Sequence, residues 1–253
     1  MIAKTPEDIA GLRAAGKALA ETMRALEQMV AHGVSAAQLD IAAEKMIRAL
    51  GAEPAFLGYK PAGEKYPYPA TLCVSVNDEV VHGLPTEEKV FKQGDVVMLD
   101  LGLSLHGYFT DMATTVCVGV CDEQGERLKD AAREALTVGI AAAKVGARTG
   151  DIGAAIEAVA VKHRLGVVEE LGGHSLGRVP HEKPFVPNTG LAGSGELLEE
   201  GLVLAIEPIF TDGEGGVVLD GDGWTYRTRD GSRSAEFEHT ILVTQNGPEI
   251  LTQ

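Results

Sequence analysis

The chain has 253 residues, 45% hydrophobic and 23% charged, which are ordinary values for a globular protein. Its formal net charge of −15 opposes direct binding to nucleic acid, because phosphate recognition needs basic surfaces. The sequence contains neither the apolar core of a signal peptide nor an apolar run near the ~20 residues that span a bilayer. These features predict a soluble protein with no membrane partner.

The amino-terminal elements are predicted to be two helices. Thr5 is a typical helix cap, Pro6 suits the first helical position, and apolar residues then recur at helical spacing. Ser35 and Gln38 have the spacing of a capping box for a second helix, which ends near Leu50.

Beyond a loop rich in Gly, Pro and Tyr at 58–69, the pattern changes to short strands and returns once to helices. The predicted elements are strands at 95–101 and 108–118 joined by a hairpin at 104–107, helices at about 123–144 and 149–164, and strands at 201–209, 224–229 and 233–244. Two helices followed by strands therefore occur twice. This order favours an α+β fold with a mostly antiparallel sheet.

Internal similarity supports two related halves. Gly33–Ala43 resembles Gly146–Ala155, roughly 110 residues later, a period too long for a solenoid. No linker separates the halves, so we predict one domain, residues 1–253, with pseudo-symmetric halves at about 1–120 and 121–253. We expect the site between the halves, where pockets form preferentially.

Four acidic residues lie where a buried core is expected. Asp100 interrupts the apolar run at 96–99, and a turn at Leu105–His106 would place Asp111 nearly opposite it. Glu207 ends a second apolar run, and Glu238 lies in a predicted strand whose alternation puts Glu236, Glu238 and Thr240 on one face.

Two interpretations of these acids are open. Each could face solvent from a half-exposed strand, as acids in strands usually do. Buried carboxylates that face each other require a cation or a shared proton to relieve their repulsion. Because all four are flanked by aliphatic residues, we favour divalent cations, for which carboxylate oxygens are suitable ligands.

Three of the seven histidines are candidates for the same site. His174 and His181 lie in a predicted Gly-rich loop, and His82 follows a short strand. We assign structural roles to the other four: His32, His106, His163 and His239.

The three cysteines do not predict a cysteine-based site. Cys73, Cys117 and Cys121 are too few for a disulfide framework, and the last two lack CxxC spacing for zinc. We therefore expect a reducing, cytoplasmic compartment.

Six segments together closely resemble the methionine aminopeptidases of the bacterial type I class, within the pita-bread metallopeptidase superfamily. They are Asn77–Pro85, Leu99–Asp100, Tyr108–Asp111, Gly173–Glu182, Ala205–Pro208 and Ser234–Thr240. The resemblance spans essentially the whole chain. It implies the pita-bread fold, a pseudo-twofold curved antiparallel sheet covered by two helix pairs.

The resemblance also implies roles for individual residues. Two divalent metal ions (Co, Mn, Fe or Zn) would be held by Asp100, Asp111, His174, Glu207 and Glu238, with Asp111 and Glu238 bridging both. His82 and His181 are similar to the family's two catalytic histidines that are not ligands, and Glu207 is the expected proton shuttle. The residues similar to its substrate pocket are Tyr59, Tyr68, Cys73, His82, His181 and Trp224.

The chain departs from the family's pattern at four places, all expected near the side-chain pocket or its rim. Pro180 stands where Phe is frequent, Phe56 replaces a smaller residue, Thr110 replaces Gly, and the loop at 60–67 is longer. The strictness of methionine preference is therefore open.

The function implied is removal of the N-terminal methionine from nascent proteins and peptides, with water activated by the two cations. An Xaa-Pro peptidase of the same fold and a non-catalytic peptide-binding relative are the alternatives. Nascent polypeptide N-termini are the expected partners and a monomer the expected state. Ribosome association follows from that substrate, although the sequence has no basic docking patch.

Overall fold

The computed structural model describes residues 1–61 and 65–253, and this part of the chain contains four α-helices. They are α1 (Pro6–Glu27), α2 (Ala36–Ala49), α3 (Glu123–Ala142) and α4 (Thr149–His163). The predicted cap at Thr5 and the predicted capping box at Ser35 are both present: Thr5 Oγ1 accepts from the Asp8 N–H at 3.1 Å, and Gln38 Oε1 accepts from the Ser35 N–H at 2.9 Å. Local sequence therefore sets where α1 and α2 begin.

The strands are short except for one long hairpin. They are β1 (Glu53–Pro54), β2 (Leu72–Val76), β3 (Glu79–Val81), β4 (Val96–Leu105), β5 (Tyr108–Cys117), β6 (Gly166–Val167), β7 (Gly172–Ser175), β8 (Glu182–Pro187), β9 (Val203–Ile206), β10 (Ile209–Thr211), β11 (Val217–Leu219), β12 (Tyr226–Thr228), β13 (Ser234–Glu236), β14 (His239–Thr244) and β15 (Gly247–Ile250). Each named pair is antiparallel.

The strands form four hydrogen-bonded groups. In the first half, β4 lies between β1 or β2 on one side and β5 on the other. In the second half, the order is β15-β14-β9-β7-β8. Two three-stranded groups, β13-β10-β6 and β11-β12-β3, complete the fold, and the latter joins a strand of the first half to the second.

The β4–β5 hairpin turns one residue later than predicted. His106 and Gly107 form the turn with φ of 53° and 78°, as a two-residue hairpin of type I′ requires. Asp111 therefore pairs with Gly102 rather than lying nearly opposite Asp100. Because the offset is two residues, both acids still project from the same face of the hairpin.

Each helix pair covers its own hydrophobic core. Leu99, Leu101 and Leu103 of β4 point toward α1 and α2 and are fully buried. A second core surrounds Ile156 and Phe210 beneath α3 and α4. The faces of the sheets turned away from these helices carry the acidic residues of the cavity described below.

Two predicted strands are interrupted where they carry acids. The strand predicted at 201–209 ends at Ile206 and resumes at Ile209, and Pro208 between them has no N–H to donate to a ladder. The strand predicted at 233–244 breaks at Phe237–Glu238, where the Glu238 N–H donates to Ala113 O of β5 at 2.9 Å. Both interruptions bring a glutamate into the space between the halves.

The predicted Gly-rich loop around His174 is largely a strand, β7, paired with β8 and β9. A Cβ at Gly173 would lie 2.3 Å from the carbonyl oxygen of Ala205. Glycine here therefore permits the close approach of β7 to β9 rather than a flexible loop.

The sequence did not predict a disulfide framework, but the structure contains one bonded pair of cysteines. Cys117, at the end of β5, is bonded to Cys121, just before α3, while Cys73 is free and buried. Residues four apart can be joined when the chain turns back, as it does between β5 and α3, and the spacing alone did not indicate this turn. Within the described residues, no helix is both long and apolar enough to cross a bilayer.

Candidate metal centre and substrate cavity

A cavity of about 300 Å³ opens between the two halves. Its lining combines acidic, imidazole and aromatic side chains: Phe56, Tyr59, Pro61, Tyr68, Cys73, Val81, His82, Asp100, Asp111, Glu170, Leu171, Gly172, His174, His181, Phe185, Glu207, Trp224, Glu236 and Glu238. Every site residue predicted from the sequence is in this set. Residues as far apart in the chain as Phe56 and Glu238 therefore converge on one cavity, as expected for a site between the two halves.

The predicted metal ligands form two overlapping groups. Asp100, Asp111 and Glu238 offer oxygen atoms within 4.8 Å of one another, and so do the ligand atoms of His174, Glu207 and Glu238. Glu238 belongs to both groups, as a carboxylate bridging two ions would. A further group joins Asp111 and His174 to His181.

The orientation of His174 leaves one ring nitrogen free to bind a metal. Its Nδ1 lies 3.0 Å from the carbonyl oxygen of Ser175, which can only accept a hydrogen bond. The proton is therefore on Nδ1, and Nε2 presents a lone pair. Burial lowers the pKa of His174 to about 3, which keeps the ring neutral at pH 7.

Burial makes the carboxylates hard to ionise without a cation. It raises the pKa of Asp111 to about 7 and that of Glu207 to about 8, with Asp111 adding repulsion to Glu207. Burial and neighbouring acids raise the pKa of Asp100 and Glu238 well above their usual range. A divalent cation relieves this cost by compensating several anions at once.

The donor set fits divalent cations by a second criterion. Glu238 Oε1 is buried and has no hydrogen-bond partner among the described residues, and an unsatisfied buried acceptor is costly. Four carboxylates and one imidazole are acceptable ligands for Mn, Fe, Co or Zn. The residues present therefore fit the divalent cations that the sequence predicted.

Two further histidines flank the acidic cluster. The ring centroid of His181 lies 4.3 Å from that of His174 and 5.2 Å from that of Tyr59, and the Tyr59 hydroxyl is within 3.1 Å of His181 Nδ1. His82 directly follows β3 in a left-handed conformation (φ 57°), and burial lowers its pKa to about 4. Both rings are neutral at pH 7, since burial also lowers the pKa of His181.

An apolar wall closes one part of the cavity. Phe56, Tyr68 and Cys73 are buried in one cluster against which Trp224 packs, with the Tyr68 and Trp224 rings edge to face at 5.2 Å. The Tyr68 hydroxyl donates to Gly83 O at 3.1 Å, which satisfies its polar atom and leaves the ring facing the cavity. The wall suits an apolar side chain.

One arginine ties this wall to the strand that carries His82. Arg227 of β12 contacts Asp78 at 3.0 Å, Glu79 of β3 at 2.9 Å and Asp220 at 2.6 Å. Because Trp224 precedes β12 and His82 follows β3, these ion pairs fix the two aromatic groups relative to each other. Their rings lie 6.3 Å apart.

The four departures from the family's pattern do not all lie at the pocket. Phe56 lines the cavity, whereas Pro180 is buried beside His181 without being part of the lining. The prediction that Thr110 lies near the pocket is wrong. Thr110 pairs with Leu103 on the helix-covered face of the hairpin, away from Asp111. The 60–67 loop includes residues 62–64, which lie outside the described residues.

Among the lining residues that sequence reasoning missed are Glu236, Glu170 and Phe185. Glu236 is 2% exposed, and burial with the nearby carboxylates raises its pKa well above its usual range. The alternation that grouped Glu236 with Glu238 was a usable signal for it. Nothing in the sequence indicated Phe185, because its position depends on the register between β7 and β8.

Two of the histidines assigned structural roles make hydrogen-bond contacts outside the cavity. His163 Nε2 lies 2.9 Å from Glu134, and His239 Nδ1 lies 2.9 Å from the Thr252 hydroxyl. His106 forms the β4–β5 turn. None of these, nor His32, is part of the cavity lining given above.

The fold and the buried carboxylate–imidazole cluster together define a metal-dependent hydrolase. The chain belongs to metallopeptidase family M24, whose sequence profile matches residues 10–245. It therefore shares that family's divalent-metal chemistry.

Among its relatives are enzymes named methionine aminopeptidase. One from Aquifex aeolicus is 44% identical over 248 residues, covering 97% of this chain and 96% of the relative. A methionine aminopeptidase 1 from Mycobacterium tuberculosis is 44% identical over 251 residues, covering 97% and 92%.

Solved structures show the same fold. The crystal structure of a methionine aminopeptidase from Thermotoga maritima matches with a TM-score of 0.95 and 43% identity, covering 100% of both chains. A prolidase from Pyrococcus furiosus matches with a TM-score of 0.76 at 21% identity, covering 100% of this chain and 65% of that one, and shows the fold alone. The predicted pita-bread fold is thus confirmed.

Proposed function

We propose that this chain removes the N-terminal methionine from nascent proteins and peptides. The observation that carries the proposal is the junction, in one cavity, of two overlapping ligand groups with an apolar wall. Relatives up to 44% identical over nearly the full length carry the name of this activity. The 21% identity to prolidase gives the Xaa-Pro alternative no comparable support.

We propose two metal ions, with Glu238 and Asp111 shared between them, Asp100 on one and His174 with Glu207 on the other. Their identity is Co, Mn, Fe or Zn, since the donor set accepts each. When bound, these ions supply Lewis acidity for amide hydrolysis at neutral pH. The retained ligands also oppose the alternative of a non-catalytic peptide-binding relative.

Two chemically distinct groups of the substrate's first residue, its side chain and its free amine, position the substrate. Its methionine side chain lies against Phe56, Tyr68, Cys73 and Trp224, and its free amine faces the acidic cluster. A peptide without a terminal amine loses this attraction, which accounts for a preference for chain termini. His82 hydrogen-bonds the substrate backbone next to the scissile bond.

The remaining residues handle charge and protons during hydrolysis. If the Tyr59 hydroxyl donates to His181 Nδ1, the neutral ring carries its proton on Nε2 and can donate to the developing oxyanion. Glu207, in the same cavity, takes a proton from the attacking water and transfers it to the leaving amine as the C–N bond breaks. Each role uses a side chain that lines the cavity.

The test is hydrolysis of Met-Ala-Ser and Ala-Pro peptides by metal-free protein reconstituted with each metal in turn. We expect release of methionine that requires added metal, with little release of alanine from Ala-Pro. Faster cleavage of the Ala-Pro peptide would support the Xaa-Pro peptidase instead. No cleavage with any metal would support the non-catalytic relative.

We also propose that the chain acts as one domain of two halves, in the cytoplasm and as a monomer. We include ribosome association in this proposal only because the proposed substrate, the nascent N-terminus, emerges at the ribosome. Size-exclusion chromatography with light scattering tests the monomer directly.

A further inference from the structure

Phe185 is an aromatic residue fixed at the mouth of the cavity. It is the direct partner of His174 in the register between β7 and β8, so the two side chains project from the same face. It is 49% exposed, whereas the next residue, Val186, faces the second core and is 1% exposed. Phe185 lines the cavity without belonging to the apolar cluster around Trp224.

The Phe185 ring lies directly over the backbone of β7. A Cβ at Gly172 would lie 3.0 Å from Cζ of Phe185 and 2.8 Å from the carbonyl oxygen of Val186. The phenyl ring therefore lies close over the glycine backbone. A partly exposed aromatic side chain next to a buried polar centre is typical of a binding anchor.

We propose that Phe185 binds the peptide substrate from its third residue onward, an inference that rests on the proposed function. With the first side chain against the apolar wall and the scissile carbonyl at the acidic cluster, the second residue lies beside buried His174. The chain then leaves the cavity at its mouth, where Phe185 is exposed. Phe185 is thus a substrate-binding residue for longer peptides and takes no part in bond cleavage.

The experiment compares Met-Ala with a pentapeptide beginning Met-Ala-Ser, using the metal-loaded enzyme and its Phe185→Ala variant. We expect KM for the pentapeptide to rise about five- to tenfold, as for loss of an apolar anchor, with kcat and the melting temperature unchanged. KM for Met-Ala should stay within twofold. Phe185→Leu should recover part of the pentapeptide affinity.

Leu191→Ala provides a matched control, since Leu191 is 77% exposed and does not line the cavity. It should leave both KM values unchanged. Equal effects of Phe185→Ala on both peptides, or no effect on either, would overturn the inference. If the unaltered enzyme with metal cleaves neither peptide, the proposed function itself has failed, which is a different result.

Discussion

At the scale of single residues, the histidines show that spacing and environment carry different information. His174 and His181 were selected because they lie in a Gly-rich segment, and His82 because it follows a short strand; all three line the cavity. What separates them is visible only in the structure. His174 has its Nδ1 proton committed to Ser175 O, whereas His181 has its Nδ1 next to the Tyr59 hydroxyl.

This difference predicts a specific outcome for His181→Ala. The variant loses the proposed hydrogen bond to the oxyanion, and we expect kcat to fall by roughly 10²-fold. Metal content should remain that of the unaltered enzyme, because the two overlapping ligand groups do not include His181. Steady-state kinetics and elemental analysis of the same sample check both parts.

His174→Ala is the contrasting variant, and it should lose metal together with activity. If His181→Ala also lost metal, then His181 would be a ligand, as its position near Asp111 and His174 would allow. If its kcat were unchanged, His181 would have no role in the reaction.

At the scale of elements, sequence predicted what depends on neighbours in the chain. The caps of α1 and α2 involve residues three apart, and both were predicted correctly. The interruption at Phe237–Glu238 depends on a hydrogen bond to Ala113, 125 positions away, and no local pattern encodes it. The same holds for the pairing of β7 with β8, which was predicted as a loop.

A contact between β5 and β14 links the strand that carries Asp111 to the strand that follows Glu238. The Asp111 N–H donates to Thr240 Oγ1 at 2.8 Å, and that hydroxyl donates to Asp111 O at 2.7 Å. Thr240 is fully buried. Its hydroxyl thus fixes the backbone of one proposed ligand relative to the strand that follows another, Glu238.

Thr240→Val should therefore weaken both stability and metal binding. It leaves the buried Asp111 N–H without an acceptor, at a cost of about 1–3 kcal/mol. We expect a lower melting temperature in calorimetry and a higher Kd for Mn in titration calorimetry. Thr244→Val is the control, because its hydroxyl bonds Gly247 within the β14–β15 turn. An equal loss of metal affinity in both variants would contradict the positioning role of Thr240.

At the scale of the whole molecule, each helix pair covers a core of its own, and a set of buried acids lies between the two halves. The sequence indicated this arrangement through its repeated order of elements and its acids inside apolar runs. The alternation at 234–240 also grouped Glu236 with Glu238, but only the structure shows that Glu236 is a fifth buried carboxyl in the same cavity. Which face of a short strand is turned inward depends on packing between the halves.

This arrangement predicts that the metal-free protein loses stability as pH rises from 7 to 8.5. Unfolded carboxyls are fully ionised by pH 7, but the folded pKa is about 7 for Asp111 and about 8 for Glu207, and higher than usual for Asp100, Glu236 and Glu238. The folded state therefore binds more protons than the unfolded state, and stability falls with increasing pH. Histidines contribute little in this range, since burial lowers the pKa of His82 and His174 and unfolded imidazole is largely neutral above pH 7.

Bound cations should reverse this trend, because they favour the ionised carboxylates and their binding releases protons. The gap in melting temperature between metal-loaded and metal-free protein is then expected to widen from pH 7 to 8.5. Glu238→Gln, which removes one of the acids, should flatten the decline of the metal-free protein, and Glu199→Gln at an exposed position should not. Parallel melting curves with and without metal across this range would mean that these acids are already compensated within the fold.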